Sequence, residues 1–295
     1  MDNIVKKFKI EAGSDFLVKN HETNYSAGLI KEDSYELLKN NLDELKVLQE
    51  KLYSSNRYSL LIIFQAMDAA GKDSAIKHVM GGINPQGCEV HSFKQPSTQE
   101  LEHDFLWRHS KALPQKGIIG IHNRSHYENV LVCKVHPNLI TNNDDRLMQK
   151  DIDENFWEKR YESIRNFEKH LARNHTVIIK FFLNVSKNEQ KERFLDRINE
   201  PSKNWKFSPF DIKERKKWND YMDAYEHAIT ETSKDYAPWY VIPADKKWFS
   251  RVAISEIIKQ TLKSLDLEIP NLTKEELEEL VRCKAELLNE TKASE

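Results

Sequence analysis

Leu60-Leu-Ile-Ile-Phe-Gln-Ala-Met-Asp-Ala-Ala-Gly-Lys-Asp-Ser74 decides the fold of this chain. Its apolar half is too short for an ordinary buried helix and reads as a strand. It stops at a loop of small residues ending in Gly71-Lys72, and the segment from Ser74 through Met80 reads as a helix. Strand, tight loop, Gly-Lys and helix together form a phosphate cradle. Backbone N–H groups of the loop and helix start face the anion, and the lysine adds a full charge. On this reading Ala69, Ala70, Gly71, Lys72, Asp73 and Ser74 touch phosphate. The common phosphate-loop pattern has Gly where Ala66 stands and Ser or Thr where Asp73 stands. The pattern also does not call for the carboxylate of Asp68.

Working outward, five strands are predicted: Leu60–Gln65, Glu89–Lys94, Ile118–His122, Thr176–Asn184 and Trp239–Pro243. Helical patterns over 98–112, 154–174, 187–199 and 209–231 separate them. Short apolar strands alternating with helices give a mostly parallel sheet covered on both faces. Ligands of such sheets bind at the carboxyl ends of the strands, where the 66–72 loop falls. Residues 1 to about 30 read as polar and irregular. From Glu32 to Tyr53, Tyr35, Leu38, Leu42, Leu45, Leu48 and Leu52 keep helical spacing. Thr273-Lys-Glu-Glu276 is a capping box for a last helix lined by Leu277, Leu280, Val281 and Leu287. This divides the chain into an N-terminal extension (1–57), a core (58–267) and a C-terminal helix (268–295).

Composition narrows the function. The chain has 295 residues, 39% of them apolar, and a net charge of -2. That near balance gives no sign of a nucleic-acid coat or a membrane protein, and no apolar run is long enough to span a bilayer. Cys88, Cys133 and Cys283 are far apart and form no CxxC pair, which fits a reducing compartment and a soluble cytoplasmic protein. Charge is concentrated locally, with ten Lys or Arg against six Asp or Glu between Lys187 and Lys217. Arg193 and Arg197 lie one turn apart on one helix face. Glu200-Pro-Ser-Lys-Asn-Trp-Lys-Phe207 then interrupts the helices, and the hairpin reads as a lid over an extended polyanion. After the third strand, Asn123-Arg-Ser-His-Tyr-Glu128 places Arg124, which can fork two N–H donors onto phosphate, and Glu128. His126 remains unassigned. Lys94, at a strand end, is a phosphate contact, whereas Ser97 and Thr98 read as helix caps.

Seven segments resemble the polyphosphate kinase 2 family, in the family's order, from about residue 30 to about 267. They are Phe64–Ser74, Asn84-Pro-Gln-Gly87, Phe93-Lys-Gln-Pro-Ser97, Glu102-His-Asp-Phe-Leu-Trp-Arg108, Asn123-Arg-Ser125, Lys203-Asn-Trp-Lys-Phe207 and Ala237–Asp245. The Gln-Ala-Met-Asp form of the loop resembles the branch that phosphorylates both AMP and ADP. The nucleoside-diphosphate branch has Gly and Arg where Ala66 and Met67 stand.

The resemblance implies an α/β three-layer P-loop kinase-like fold, a five-stranded, mostly parallel sheet and a helical lid. It implies phosphoryl transfer between inorganic polyphosphate and AMP, ADP and ATP with Mg²⁺, or Mn²⁺ in its place. Asp68, Lys72 and Arg124 take the family's catalytic positions, and Arg193, Arg197 and Lys206 the lid's polyphosphate contacts. Asn123 stands where many phosphate-loop proteins carry an acidic residue, which moves the expected metal ligands to Asp68 and Glu128. A homo-oligomer, up to a tetramer, is also implied. An ATP-dependent nucleoside monophosphate kinase and a non-catalytic nucleotide-binding protein are the alternatives that the loop alone leaves open.

Overall fold

A computed structural model describes residues 2–290. Its centre is a sheet of five parallel strands in the order β2-β3-β1-β4-β5: β1 Ser59–Gln65, β2 Cys88–Ser92, β3 Ile119–Asn123, β4 Thr176–Asn184 and β5 Trp239–Pro243. All four neighbouring pairs are parallel, with Ile62 opposite Ile121 on one side and Ile179 on the other. Every residue of β1 and β5 is buried, as a sheet covered on both faces demands. The chain leaves β1 toward β2 on one side and leaves β4 toward β5 on the other. The crevice at their carboxyl ends is where ligands of such sheets settle.

Nine helices accompany the sheet among the described residues, apart from shorter turns. They are α1 Asp2–Phe8, α2 Lys31–Ser55, α3 Lys72–Val79, α4 Glu154–Arg173, α5 Lys187–Asn199, α6 Pro209–Lys216, α7 Trp218–Thr232, α8 Lys247–Lys263 and α9 Lys274–Glu290.

Three expectations need correction. Residues 2–30 are not polar and irregular throughout. Ile4 and Phe8 on α1, together with Ile10 and Phe16, are buried in the same core as the sheet. Thr23 donates its hydroxyl to Asp245 Oδ2 at 2.7 Å, tying this segment to the end of β5. The helix expected over 98–112 is two single turns, Thr98–Leu101 and Trp107–Ser110. The first carries the Ser97–Glu100 capping box, and Asp104 then accepts the N–H of Leu106, which restarts the chain in a new direction. On α2, Tyr35 is exposed, and the buried face includes Ser34, Asn41 and Gln49 beside Leu45 and Leu52. Asn41 bonds Ser255 and Lys259 of α8, so polar groups on facing helices satisfy one another.

The Thr273–Glu276 box forms as predicted. Beyond it, Leu277, Leu280, Val281, Leu287 and Leu288 on α9 are all exposed. Among the described residues no helix is long and apolar enough to cross a membrane.

Candidate active site

The loop after β1 owes its shape to where its carbonyls go. Lys72 Nζ donates to Ala66 O at 2.7 Å and to Met67 O at 3.4 Å. Gln190 Nε2 takes Asp68 O at 2.9 Å, and Arg193 Nη1 takes Ala69 O at 3.1 Å and Ala70 O at 2.6 Å. Five successive carbonyls, 66 to 70, are thus held by side-chain donors. The N–H groups of Ala69, Gly71, Lys72 and Asp73 have no carbonyl partner in the described chain. Those of Lys72 and Asp73 open α3, so the dipole of that helix adds to their attraction for an anion. Ala69 and Gly71 have φ of 60° and 109°. Gly71 is the residue type that takes such a value without strain.

The loop forms one wall of a cleft of about 640 Å³ lined by Asp68 to Ser74, Lys94, Asn123, Arg124, Arg193, Arg197, Lys203, Trp205, Lys206, Asp211 and Lys247. Arg124 follows β3 with φ of 63°, a left-handed conformation uncommon for a residue with a side chain. Its own N–H donates to Phe64 O, and its Nη2 meets Asp68 Oδ1 at 2.9 Å. Outliers of this kind persist where the surroundings over-determine them, and active sites are where they gather.

Lys72 is buried, and desolvation pushes its ammonium down to about 8. The charge of Arg124 adds to this, and Asp68, Glu128 and Asp73 oppose it. Burial raises the carboxyl of Glu128 against the pull of Arg124 and Lys72. On α6, burial and the charge of Asp68 push Asp211 up to about 6.

The two arginines paired in the sequence prove unlike. Arg193 is 5% exposed and uses all five donors: Nε on Glu189, Nη1 on Ala69 and Ala70, Nη2 on Ala244 O and Asp245 O. It lines the cleft, yet it cannot give a polyanion a hydrogen bond without releasing one of these, so in this structure its donors buttress the loop. Arg197 sits more openly, 3.6 Å from Asp211 Oδ2 and 3.3 Å from Lys206 O. Arg193→Ala strips four buried carbonyls of their donor and is expected to lower stability by about 3 kcal/mol. Arg197→Ala is expected to stay within about 0.5 kcal/mol. Urea midpoints of the two variants check this, and equal midpoints would sink the distinction.

Other sequence-predicted residues fall as follows. Lys94 and Lys206 reach the cleft wall. Ser74 lines it too, but its Oγ accepts from Arg251 Nη2 at 2.9 Å. Glu128 is brought into the charge field of Arg124, Lys72 and Asp68, yet it is not among the residues that line the cleft. His126, left unassigned, is buried 3.4 Å from Glu168 and away from the cleft. Sequence reasoning missed Gln190, Lys247 and Arg251. The two basic residues lie just past β5, where a parallel sheet presents its ligand-binding ends, so their position was the signal. Gln190 gave none.

Asp68 and Asp73 both face the cleft, and each gives one carboxylate oxygen to a neighbour, Arg124 Nη2 and Asn123 Nδ2 respectively. No hydrogen bond reaches Oδ2 of Asp68 among the described residues, so an oxygen remains for a hard cation.

The model of the family described as Polyphosphate kinase 2 matches residues 29–270. The ADP-polyphosphate phosphotransferase of Rhodopseudomonas palustris is 52% identical over 258 residues, 88% of this chain and 89% of its own length. The AMP/ADP-polyphosphate phosphotransferase of Meiothermus ruber is 41% identical over 268 residues, 90% of this chain and 96% of its own. The crystal structure of polyphosphate kinase 2 from Arthrobacter aurescens superposes with a TM-score of 0.85 at 37% identity, covering 95% of this chain and 96% of that one.

Proposed function

This chain belongs to the polyphosphate kinase 2 family, and from that premise we propose that it transfers phosphoryl groups between inorganic polyphosphate and adenine nucleotides, AMP to ADP and ADP to ATP. The observation that carries the reading is the loop whose carbonyls 66 to 70 are all held by side-chain donors, leaving its N–H groups and the cations of Lys72 and Arg124 for phosphate. Ala66 and Met67, which resemble the branch using both AMP and ADP, are buried and do not line the cleft. Any effect they have on acceptor choice passes through the loop's shape.

The nucleophile is a terminal phosphate oxygen of AMP or ADP. It forms a bond to the end phosphorus of the polymer as the adjoining P–O bond breaks and the shortened polymer leaves. A phosphate monoester has a second pKa of about 6, so at neutral pH the acceptor is already mostly deprotonated. No side-chain base is required, in keeping with the absence of histidine from the cleft wall. The difficulty is repulsion between two polyanions, and the enzyme meets it with position and charge. Lys72, Arg124, Arg197, Lys94 and Lys206 supply that charge from several elements around one cleft.

The carboxylates fit Mg²⁺, which takes oxygen ligands, few carboxylates and retained water. Asp68 would hold it, with Asp73 beside it, and when bound it neutralises phosphate oxygens. Glu128, outside the cleft lining, reinforces the charged form of Arg124. The uncovered apolar face of α9 offers surface for a second subunit. Free Cys88, Cys133 and Cys283 fit a cytoplasmic setting.

AMP or ADP incubated with polyphosphate and Mg²⁺, without ATP, is expected to yield the next higher nucleotide. Product formed only when ATP is the donor would overturn the reading. Asp68→Asn is expected to lower kcat by about a hundredfold or more with an unchanged unfolding midpoint, and near-normal turnover would remove Asp68 from the mechanism.

A further inference from the structure

The lid carries a group that a polyphosphate has no use for. Trp205 is 78% exposed, the most exposed of the large apolar side chains in the described residues, and it lines the cleft beside Lys203 and Lys206. It sits on the 3-10 segment Pro201–Lys206, between the basic helices α5 and α6. Lys206 Nζ lies 4.9 Å from the ring centroid, and most of the ring surface stays open. A cation over one face of an indole stabilises it there, but leaving so large an apolar ring in water gains nothing for folding.

A chain of phosphates offers hydrogen-bond acceptors and charge but no π-face, and lysine and arginine alone would serve it. A nucleobase, by contrast, is recognised by stacking on an aromatic ring. The cleft wall contains one other aromatic residue, Phe93. Its ring is already engaged by His109 at 4.2 Å, His122 at 4.9 Å and the guanidinium of Arg108 at 5.1 Å.

We propose that Trp205 is the platform on which the base of the acceptor nucleotide stacks, so that the lid reads the nucleoside as well as the polyanion. The assignment rests on the nucleotide-kinase reading above and deepens it. Because every base has a π-face, such a platform confers affinity for nucleotides over bare phosphates, with little choice among bases.

The test compares the wild type with Trp205→Ala and Trp205→Phe. The ring is exposed, so neither change removes core packing. In Trp205→Ala, the KM for AMP and for ADP is expected to rise about tenfold, with the KM for polyphosphate within about twofold. Trp205→Phe restores the nucleotide KM to within about threefold of the wild type. The chain has six tryptophans, so Trp205 is isolated by difference: AMP without polyphosphate quenches fluorescence in the wild type and not in Trp205→Phe. An unchanged nucleotide KM in Trp205→Ala, or an equal rise in both KM values, would overturn the proposal. A wild type that turns over no nucleotide with polyphosphate would defeat the substrate reading instead. The AMP quench then still decides the stacking, and its absence sinks it.

Discussion

Replacing Lys72 with methionine is expected to lower phosphoryl transfer by about a hundred- to a thousandfold while changing stability little at pH 7. Relief of a buried charge is offset by loss of the donor to Ala66 O and Met67 O. Burial disfavours the charged lysine enough to pull it down to about 8, despite three nearby carboxylates. The charge is held where a phosphate needs it, at the expense of the folded state. Because the folded value lies below the ordinary 10.5, the penalty is fully present below pH 8, where both folded and unfolded chains carry the proton. It fades between pH 8 and 10.5, where the folded chain releases the proton first. The stability of Lys72→Met relative to the wild type should therefore fall across that window, and urea midpoints at pH 7 and pH 10 check it. Activity should run the opposite way. In the wild type, kcat/KM for polyphosphate should hold at neutral pH and fall as pH rises through about 8, since it reports groups in the free enzyme. A profile flat to pH 10 would show that Lys72 is not the group that meets the polyanion.

Lys180→Met, remote from the cleft, is expected to destabilise the protein at least as much as Arg193→Ala. Lys180 lies in the middle of β4, and both it and Glu168 are completely buried. Its three protons go to Glu168 Oε2 at 2.6 Å, Thr232 O at 2.8 Å and Tyr127 Oη at 2.9 Å. Burial, with a smaller push from the charge of Lys234, takes the lysine down to about 8 against the pull of Glu168. The lysine's charge and His126 hold Glu168 below the usual carboxylate range. Removing the lysine leaves a buried carboxylate with Tyr127 and His126 as its remaining neighbours. Breaking such a pair from one side costs about 3–5 kcal/mol, which in a chain of this size is a fall in Tm of roughly 10 °C. The double variant Lys180→Met with Glu168→Leu removes both charges and should recover most of the loss. Calorimetry on the two proteins decides it. A single variant within about 1 kcal/mol of the wild type would mean that the pair is not coupled as the geometry requires.

Four strands were legible as short, mostly apolar runs, whereas β2, Cys88-Glu-Val-His-Ser92, is a half-exposed edge with a weaker signal. The loop at Gly71 announced the strand-to-helix joint. Two kinds of feature were not legible. One is burial that depends on a distant partner. Asn41 reads as solvent-facing until Ser255 and Lys259, more than two hundred residues on, come to meet it. Ile4 and Phe8 are too sparse to mark a helix until the sheet supplies the surface they cover. The other is the direction in which a side chain points. Spacing placed Arg193 and Arg197 on one face, yet the residue one turn nearer the sheet lies within reach of the loop's carbonyls and the other does not. Charge in a sequence counts both arginines alike. Only geometry separates the one whose donors are all used inside the protein from the one that sits more openly.

The guanidinium of Arg193 closes around carbonyls from two connections, Ala69 and Ala70 after β1 and Ala244 and Asp245 after β5. The first two turns of α5 and the cradle are therefore riveted into a single rigid body. Any swing of the outer hairpin that keeps these bonds has its pivot beyond Arg193, toward the Pro201 break, and leaves the anion nest assembled.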